Sequence, residues 1–78
     1  MSARAQNETK FGQWQDLPDG SRLYSREVAG RHGWRARYLK LVDQTETTLR
    51  FWQEIYDDQN RLVETHEKYP VDTGHRKV

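Results

Sequence analysis

TLRFWQEIY, residues 48–56, has the clearest strand pattern in the chain, because its large side chains alternate along the segment. Successive side chains of a strand point to opposite faces, so Phe51 and Trp52 would lie on opposite sides of a sheet. Aromatic residues also favour strand over helix. The alternative is one amphipathic helix over 45–62, whose apolar side would group Leu49, Trp52, Ile55 and Tyr56.

Runs of the same type occur on both sides of this segment, and polar turns separate them. Pro18-Asp19-Gly20 is a turn sequence, and the turns recur every eight to twelve residues, as is typical of antiparallel sheets. We predict a mainly β fold, a single antiparallel meander sheet of four to five strands. The predicted strands are 22–28, 34–42, 48–56 and 61–71, with a fifth at 11–17.

The length of 78 residues fits one domain. Residues 1–10 contain few apolar side chains and are predicted to be a disordered leader, residues 11–73 a small β domain, and residues 74–78 a flexible basic tail. Pro70 should end the last strand, since proline has no N–H to donate to a neighbouring strand.

Hydrophobic residues make up 33% of the chain and charged residues 32%, which predicts a thin, aromatic core. A thin core favours association with a protein partner or as a homodimer. The chain has no cysteine, which excludes disulfides and thiolate zinc sites and favours the cytoplasm. No apolar run is long enough for a membrane span, and no cofactor motif is present, so we expect neither a membrane nor a cofactor.

Charge is divided along the sequence. Residues 22–40 hold six basic side chains and one acidic, whereas residues 41–72 hold three basic and eight acidic. The two segments can neutralise each other across strands, or can face a charge-complementary protein. Alternatively, a basic face could bind the phosphates of RNA. The residues of that phosphate-binding face would be Arg22, Arg26, Arg35 and Arg37.

An aromatic and basic sheet face is the predicted partner-binding site. If Phe51 packs in the core, Trp52 stands on the surface beside Arg50, a combination typical of interface hot spots. The predicted partner-binding residues are Arg50, Trp52, Glu54, Tyr56, His66 and Lys68.

The three histidines are not spaced like metal ligands, so we expect no metal site. No phosphate loop or activated nucleophile is recognisable, and no catalytic residue is assigned. Any enzymatic activity would be that of a metal-independent ribonuclease, with a general base, a general acid and cations for the phosphate.

The stretch EIYDDQNRLVETHEKYPVDTGH, residues 54–75, resembles the closing hairpin of TumE-like and related small bacterial β-rich proteins. The shared features are an aromatic strand, a turn leading to Arg61-Leu62, an aromatic residue followed by an aspartate, and a late histidine. Lys68 occupies the position where that pattern has an arginine. Such proteins are described as toxins of toxin–antitoxin pairs, so the resemblance implies action on RNA.

We therefore predict a small cytoplasmic module without catalysis of its own, which holds a protein partner or its own copy through the sheet face. The alternatives are an RNA-binding or RNA-cleaving protein of toxin type, and a phage- or plasmid-borne inhibitor of a larger enzyme.

Overall fold

The computed structural model describes residues 2–78, which form one α-helix and one antiparallel sheet of six strands. The order of strands in the sheet is their order in the chain, so the predicted antiparallel meander is confirmed, but with six strands instead of the predicted four to five. The elements are α1 Ala3–Phe11, β1 Gln13–Asp16, β2 Arg22–Ala29, β3 Arg35–Val42, β4 Thr48–Tyr56, β5 Leu62–Tyr69 and β6 Gly74–Lys77, with a 3-10 turn at Arg31–Gly33.

The segment 48–56 is strand β4 over its whole length, so the helical alternative is wrong. Phe51 lies opposite Lys40 of β3, and Trp52 lies opposite Leu39, which places the two rings on opposite sides of the sheet. Phe51 faces α1, as its contact with Phe11 shows. We call the side covered in part by α1 the helix face, and the other side the bare face.

The prediction of a disordered leader is wrong from Ala3 onward, while Met1 lies outside the described residues. The Ser2 hydroxyl accepts a hydrogen bond from the Ala5 amide at 3.1 Å and caps the helix start. Gly12, with φ of 83°, ends the helix in the left-handed conformation. Phe11 is the one large apolar residue of α1, and it is 6% exposed against the sheet.

The predicted basic tail is also corrected, because residues 74–77 pair with β5 as a sixth strand. β5 does end at Tyr69, before Pro70. The chain then turns back, since the Asp72 carboxylate accepts a hydrogen bond from the Gly74 amide at 2.9 Å. The Thr73 amide donates to the Glu67 carbonyl at 2.9 Å, which brings the last segment alongside β5.

The core is thin, as the composition predicts. On the helix face, Phe11, Tyr24 and Val42 form the buried cluster, and Tyr38 and Phe51 pack against it. Because α1 contacts β1 and β2 but extends over only part of the sheet, much of the helix face stays uncovered. Among residues 2–78, no helix has the length and apolar character to cross a membrane.

Polar contacts fix α1 on the sheet. The Glu46 carboxylate, in the turn between β3 and β4, accepts hydrogen bonds from the Tyr24 hydroxyl at 2.8 Å and the Asn7 amide at 3.0 Å. The Lys40 ammonium donates to the Asn7 side-chain oxygen at 3.0 Å. Arg22 bridges to Glu8 of α1 at 2.7 Å. These contacts set the position of the helix end that carries Lys10 and Phe11.

Candidate functional site

The six predicted partner-binding residues do not form one surface. Trp52 lies opposite Glu67 of β5, whereas Gln53 lies opposite His66, so His66 is on the helix face. Lys68 lies there too, because its ammonium is 5.7 Å from the Phe51 ring centre. The bare face carries the other four, Arg50, Trp52, Glu54 and Tyr56.

Trp52 is covered by its neighbours on the bare face, so its predicted exposure is wrong. The indole is 9% exposed, the Arg50 guanidinium lies 3.8 Å from its ring centre, and Nε1 donates to Glu54 at 3.2 Å. Arg50 also pairs with Glu67 at 2.6 Å. The Tyr56 hydroxyl donates to Glu54 at 2.8 Å, and burial together with this carboxylate raises the pKa of Tyr56. The polar groups of this face are thus paired within the chain, and their role in partner binding stays a prediction.

The four arginines of the predicted phosphate-binding face also lie on two sides of the sheet. Arg26 lies opposite Tyr38 on the helix face, whereas Arg37 lies opposite Glu27 and Glu54 on the bare face. Arg22 is buried, and its guanidinium contacts the carboxylates of Asp16 at 2.6 Å and Glu8 at 2.7 Å. The proximity of Asp16 raises the pKa of Arg22.

Arg35 is occupied in a similar way on the bare face. It stacks on the Tyr56 ring at 4.4 Å, contacts Glu27 at 3.4 Å and donates to Asn60. Arg22 and Arg35 are thus neutralised within the chain, but their acidic partners Glu8, Asp16 and Glu27 lie outside the acidic segment 41–72 that was predicted to neutralise them. Of the four arginines, Arg26 is the one on the uncovered part of the helix face.

Two adjoining pockets open beside the end of α1 on the helix face, and we call them together the α1 cleft. They share Lys10 and Phe51. The first pocket has a volume of about 300 Å³ and is lined by Lys10, Phe11, Arg26, Tyr38, Phe51 and Lys68. The second has a volume of about 520 Å³ and is lined by Lys10, Lys40, Thr47, Thr48, Phe51 and Tyr69.

The charged side chains that line the α1 cleft are all cationic. Within residues 2–78, neither Lys10, Arg26 nor Lys68 forms an ion pair. Lys68 instead lies 5.3 Å from the Tyr38 ring centre, and Lys10 lies 5.7 Å from that of Phe11. The cleft therefore combines aromatic walls with ammonium and guanidinium groups, three of which, on Lys10, Arg26 and Lys68, form no direct ion pair within residues 2–78.

Lys40 is the fourth cation that lines the α1 cleft, and it lies between β3 and α1, where it contacts Asn7. Burial, and secondarily the charge of Lys10, lowers the pKa of Lys40. The carboxylate of Glu46 acts in the opposite direction and offsets part of this shift, and an anion bound beside Lys10 and Lys40 would reduce their repulsion further. The charged residues that line the second pocket, like those of the first, are thus all cations.

A row of polar side chains crosses the sheet next to the cleft. The register aligns Arg26, Tyr38, Gln53, His66 and His75 on successive strands. Gln53 Nε2 donates to the Tyr38 hydroxyl at 3.1 Å, which leaves that hydroxyl its own proton to donate.

At the histidine end of this row, His66 is paired with Asp72 and His75 is half-exposed. His66 Nε2 is 2.5 Å from Asp72 Oδ1, and the rings of His66 and His75 are 4.6 Å apart. The Gly74 amide and then His66 lower the pKa of Asp72. The second ring nitrogen of His66, Nδ1, is buried and has no hydrogen-bond partner among the described residues. Over the same residues, no three histidine, aspartate or glutamate side chains are grouped as a metal site would require.

Sequence reasoning assigned Arg26 and Lys68 to two different sites and missed Lys10, Tyr38 and Phe51. A bulge in β4–β5 pairing, between Phe51 and Trp52, puts Tyr69 opposite Phe51 on the helix face, and the alternation of one strand does not reveal it. No single sequence feature identifies Lys10 as a site residue. Its position could be inferred only by first predicting a helix between the caps Ser2 and Gly12, and then noting that Lys10 precedes Phe11, the large apolar residue of that helix.

Comparison of the chain with protein-family models, curated proteins and solved structures finds no match. The resemblance of residues 54–75 to TumE-like proteins therefore stays a prediction.

Proposed function

We propose that this protein is a binding module for single-stranded nucleic acid and that the α1 cleft is its binding site. The observation that supports this most directly is the set of three cations without ion pairs, Lys10, Arg26 and Lys68, around the rings of Tyr38 and Phe51. Aromatic rings for bases and cations for phosphates are the two components of single-strand recognition.

The aromatic component is placed for stacking. Phe51 forms the shared floor of both pockets, and Tyr69, opposite it on β5, is 46% exposed. A sheet face with aromatic side chains on neighbouring strands is how several RNA-binding folds hold unstacked bases. Tyr38 adds a hydroxyl that can donate to a base edge or a phosphate oxygen.

The positive charge available for phosphates is concentrated in the α1 cleft and does not extend over the whole protein. The net charge of the chain is only +1, so we expect modest affinity and strong salt dependence rather than tight general binding. The cations on the bare face add little, because Arg35 and Arg50 already contact carboxylates. Binding at the helix face would therefore replace the bare-face contact predicted from the sequence.

We propose binding without cleavage. A general base must reach the proton that it removes. The nitrogen of His66 that does not contact Asp72 is buried, so it has no route to a ligand in the cleft. The absence of cysteine favours the cytoplasm, where RNA is abundant.

Fluorescence anisotropy with labelled single-stranded RNA and DNA at low and high salt tests this proposal. Arg26→Gln and Lys68→Gln should each weaken binding several-fold and reduce the salt slope by about 0.7. Arg76→Gln is the matched control, because Arg76 is an exposed cation opposite Thr65 on the bare face. RNA bound more tightly than DNA would indicate contact with the 2′-hydroxyl. No binding at low salt, or equal weakening by Arg76→Gln, would exclude the cleft as the site.

A further inference from the structure

The helix face continues past the α1 cleft into an apolar groove at the end of the β2–β3 hairpin, which we call the Trp34 groove. Its volume is about 460 Å³. Its walls include Val28, Gly30, Arg31, Trp34, Ala36 and Ile55. Val28 and Trp34 are 40% and 41% exposed, so a large part of both side chains is open to a ligand.

Strand register shows that the groove and the cleft belong to one surface. Val28, Ala36 and Ile55 are aligned across β2, β3 and β4, two residues along from the row of Arg26, Tyr38 and Gln53. Two residues of a strand span about 7 Å, so the apolar row lies next to the polar row on the same face. Trp34 is four positions from Tyr38, which corresponds to about 13 Å along β3.

The backbone around Trp34 is held in place. The Gly30 amide donates to the Trp34 carbonyl at 2.7 Å, and the Trp34 amide donates to the Arg31 carbonyl at 3.0 Å. His32 and Gly33, with φ of 58° and 79°, form the tight turn between them. The indole is thus an exposed ring on a fixed support, which reduces the entropy lost when a flat ligand stacks on it.

We propose that the Trp34 groove is a second base-binding site for the same nucleic-acid strand, which would run along β3 from the α1 cleft to Trp34. This inference rests on the proposed function. The groove walls suit a flat aromatic ligand, and no carboxylate is among the residues that line it. Arg31 is at its rim and forms no ion pair within residues 2–78, so it is available to a phosphate.

A nucleobase is favoured over an apolar protein segment because the groove lies on the same face as the cationic cleft, two residues further along the strands. A protein segment would need only the apolar walls, whereas a strand that leaves the cleft reaches Trp34 within a few nucleotides. A ligand too short to span about 13 Å would occupy one of the two sites.

The test compares a dinucleotide with an oligonucleotide of about eight nucleotides. Anisotropy is measured for the wild-type protein, Trp34→Ala, Trp34→Phe and the control Leu49→Ala, which removes another exposed apolar side chain. Trp34→Ala should weaken the longer ligand about tenfold and leave the dinucleotide within twofold, since stacking is worth about 1–3 kcal/mol per base. Trp34→Phe, which keeps a ring, should retain most of the affinity, and Leu49→Ala should have no effect.

The other outcomes distinguish an error in the proposed function from an error in this inference. If the wild-type protein binds neither ligand, the proposed function and this inference are both wrong. If the longer ligand binds Trp34→Ala as tightly as the wild type, the inference alone is wrong, and the groove is left for an apolar protein segment. Equal weakening of both ligands by Trp34→Ala would place Trp34 in the first site and overturn the two-site arrangement.

Discussion

The hydroxyl of Tyr24 donates a 2.8 Å hydrogen bond to the carboxylate of Glu46, and neither group is open to solvent. Tyr24 is fully buried on β2, and the Glu46 side chain is 8% exposed in the β3–β4 turn. The same carboxylate accepts from Asn7, so one acidic group connects the sheet core to α1. Its removal would leave buried donors without an acceptor, which costs more than the net value of the bonds.

Glu46→Ala should therefore lower the free energy of unfolding by about 2 kcal/mol, measured by urea denaturation. Glu27→Ala is the control, because Glu27 is a half-exposed residue whose pair with Arg35 at 3.4 Å is on the surface. Exposed pairs contribute about 0–1 kcal/mol. Equal losses in the two variants would show that the buried contacts of Glu46 do not stabilise α1.

The same carboxylate should make stability depend on pH. Burial raises the pKa of Glu46, but hydrogen bonds from Asn7, Tyr24 and Arg4 outweigh it and bring the pKa below its ordinary value of 4.5. Folding thus favours the charged form, so this contribution is complete above pH 4.5 and is lost as pH falls through the lower folded-state pKa. The unfolding free energies of the wild type and Glu46→Gln should differ at neutral pH and converge toward ~pH 3. A constant difference over that range would contradict the prediction.

Trp52 and Trp34 form a natural pair for a stability comparison, because the first is 9% exposed and the second 41%. Trp52→Ala removes a ring that packs on the bare face under Arg50, and it should cost about 3 kcal/mol. Trp34→Ala should cost about 0.5 kcal/mol. Urea denaturation of both variants measures the difference. A small loss of unfolding free energy for Trp52→Ala would contradict this prediction and would favour the surface role that the sequence predicted for Trp52.

Phe11 should control whether α1 stays on the sheet. Its ring is 5.7 Å from Tyr24 and 6.2 Å, edge-on, from Phe51. A nine-residue helix is too short to be stable alone, so Phe11→Ala should release α1 and raise amide exchange across 3–11. The central strands should keep their protection. Thr9→Ala, an exposed change in the same helix, is the control, and hydrogen exchange by NMR distinguishes release of α1 from general unfolding.

Sequence reasoning succeeded where a single segment carries its own pattern. The alternation through Phe51 and Trp52 predicts β4 with the bounds that the structure has, and Pro70 correctly ends β5 at the preceding residue. The helix was missed because Phe11 is its one large apolar side chain, and the other buried residue, Asn7, is polar. The caps at Ser2 and Gly12 are single residues, which also occur in loops.

The candidate site was harder to predict because it depends on register. Alternation shows which side chains of one strand share a face, but not which face of the next strand they join. The sequence gives no reason to distinguish Arg26 from Arg37, yet the two side chains lie on different faces of the sheet. The bulge beside Phe51 then brings Tyr69 to the helix face opposite that ring, while α1 adds Lys10 from a distant part of the chain.

The chain order of the strands has a consequence for folding kinetics. Every strand pairs with its immediate successor, so the sheet can assemble through short turns with little loss of loop entropy. The contacts of α1 are different, since Asn7 meets Glu46 across 39 positions and Lys40 across 33. We expect these distant contacts to form late in folding, after the hairpins, even though α1 also meets Arg22 across only 14 positions. The walls of the α1 cleft would then be completed by the last folding event, and a ligand that holds Lys10 in place would slow the unfolding of the N-terminal segment.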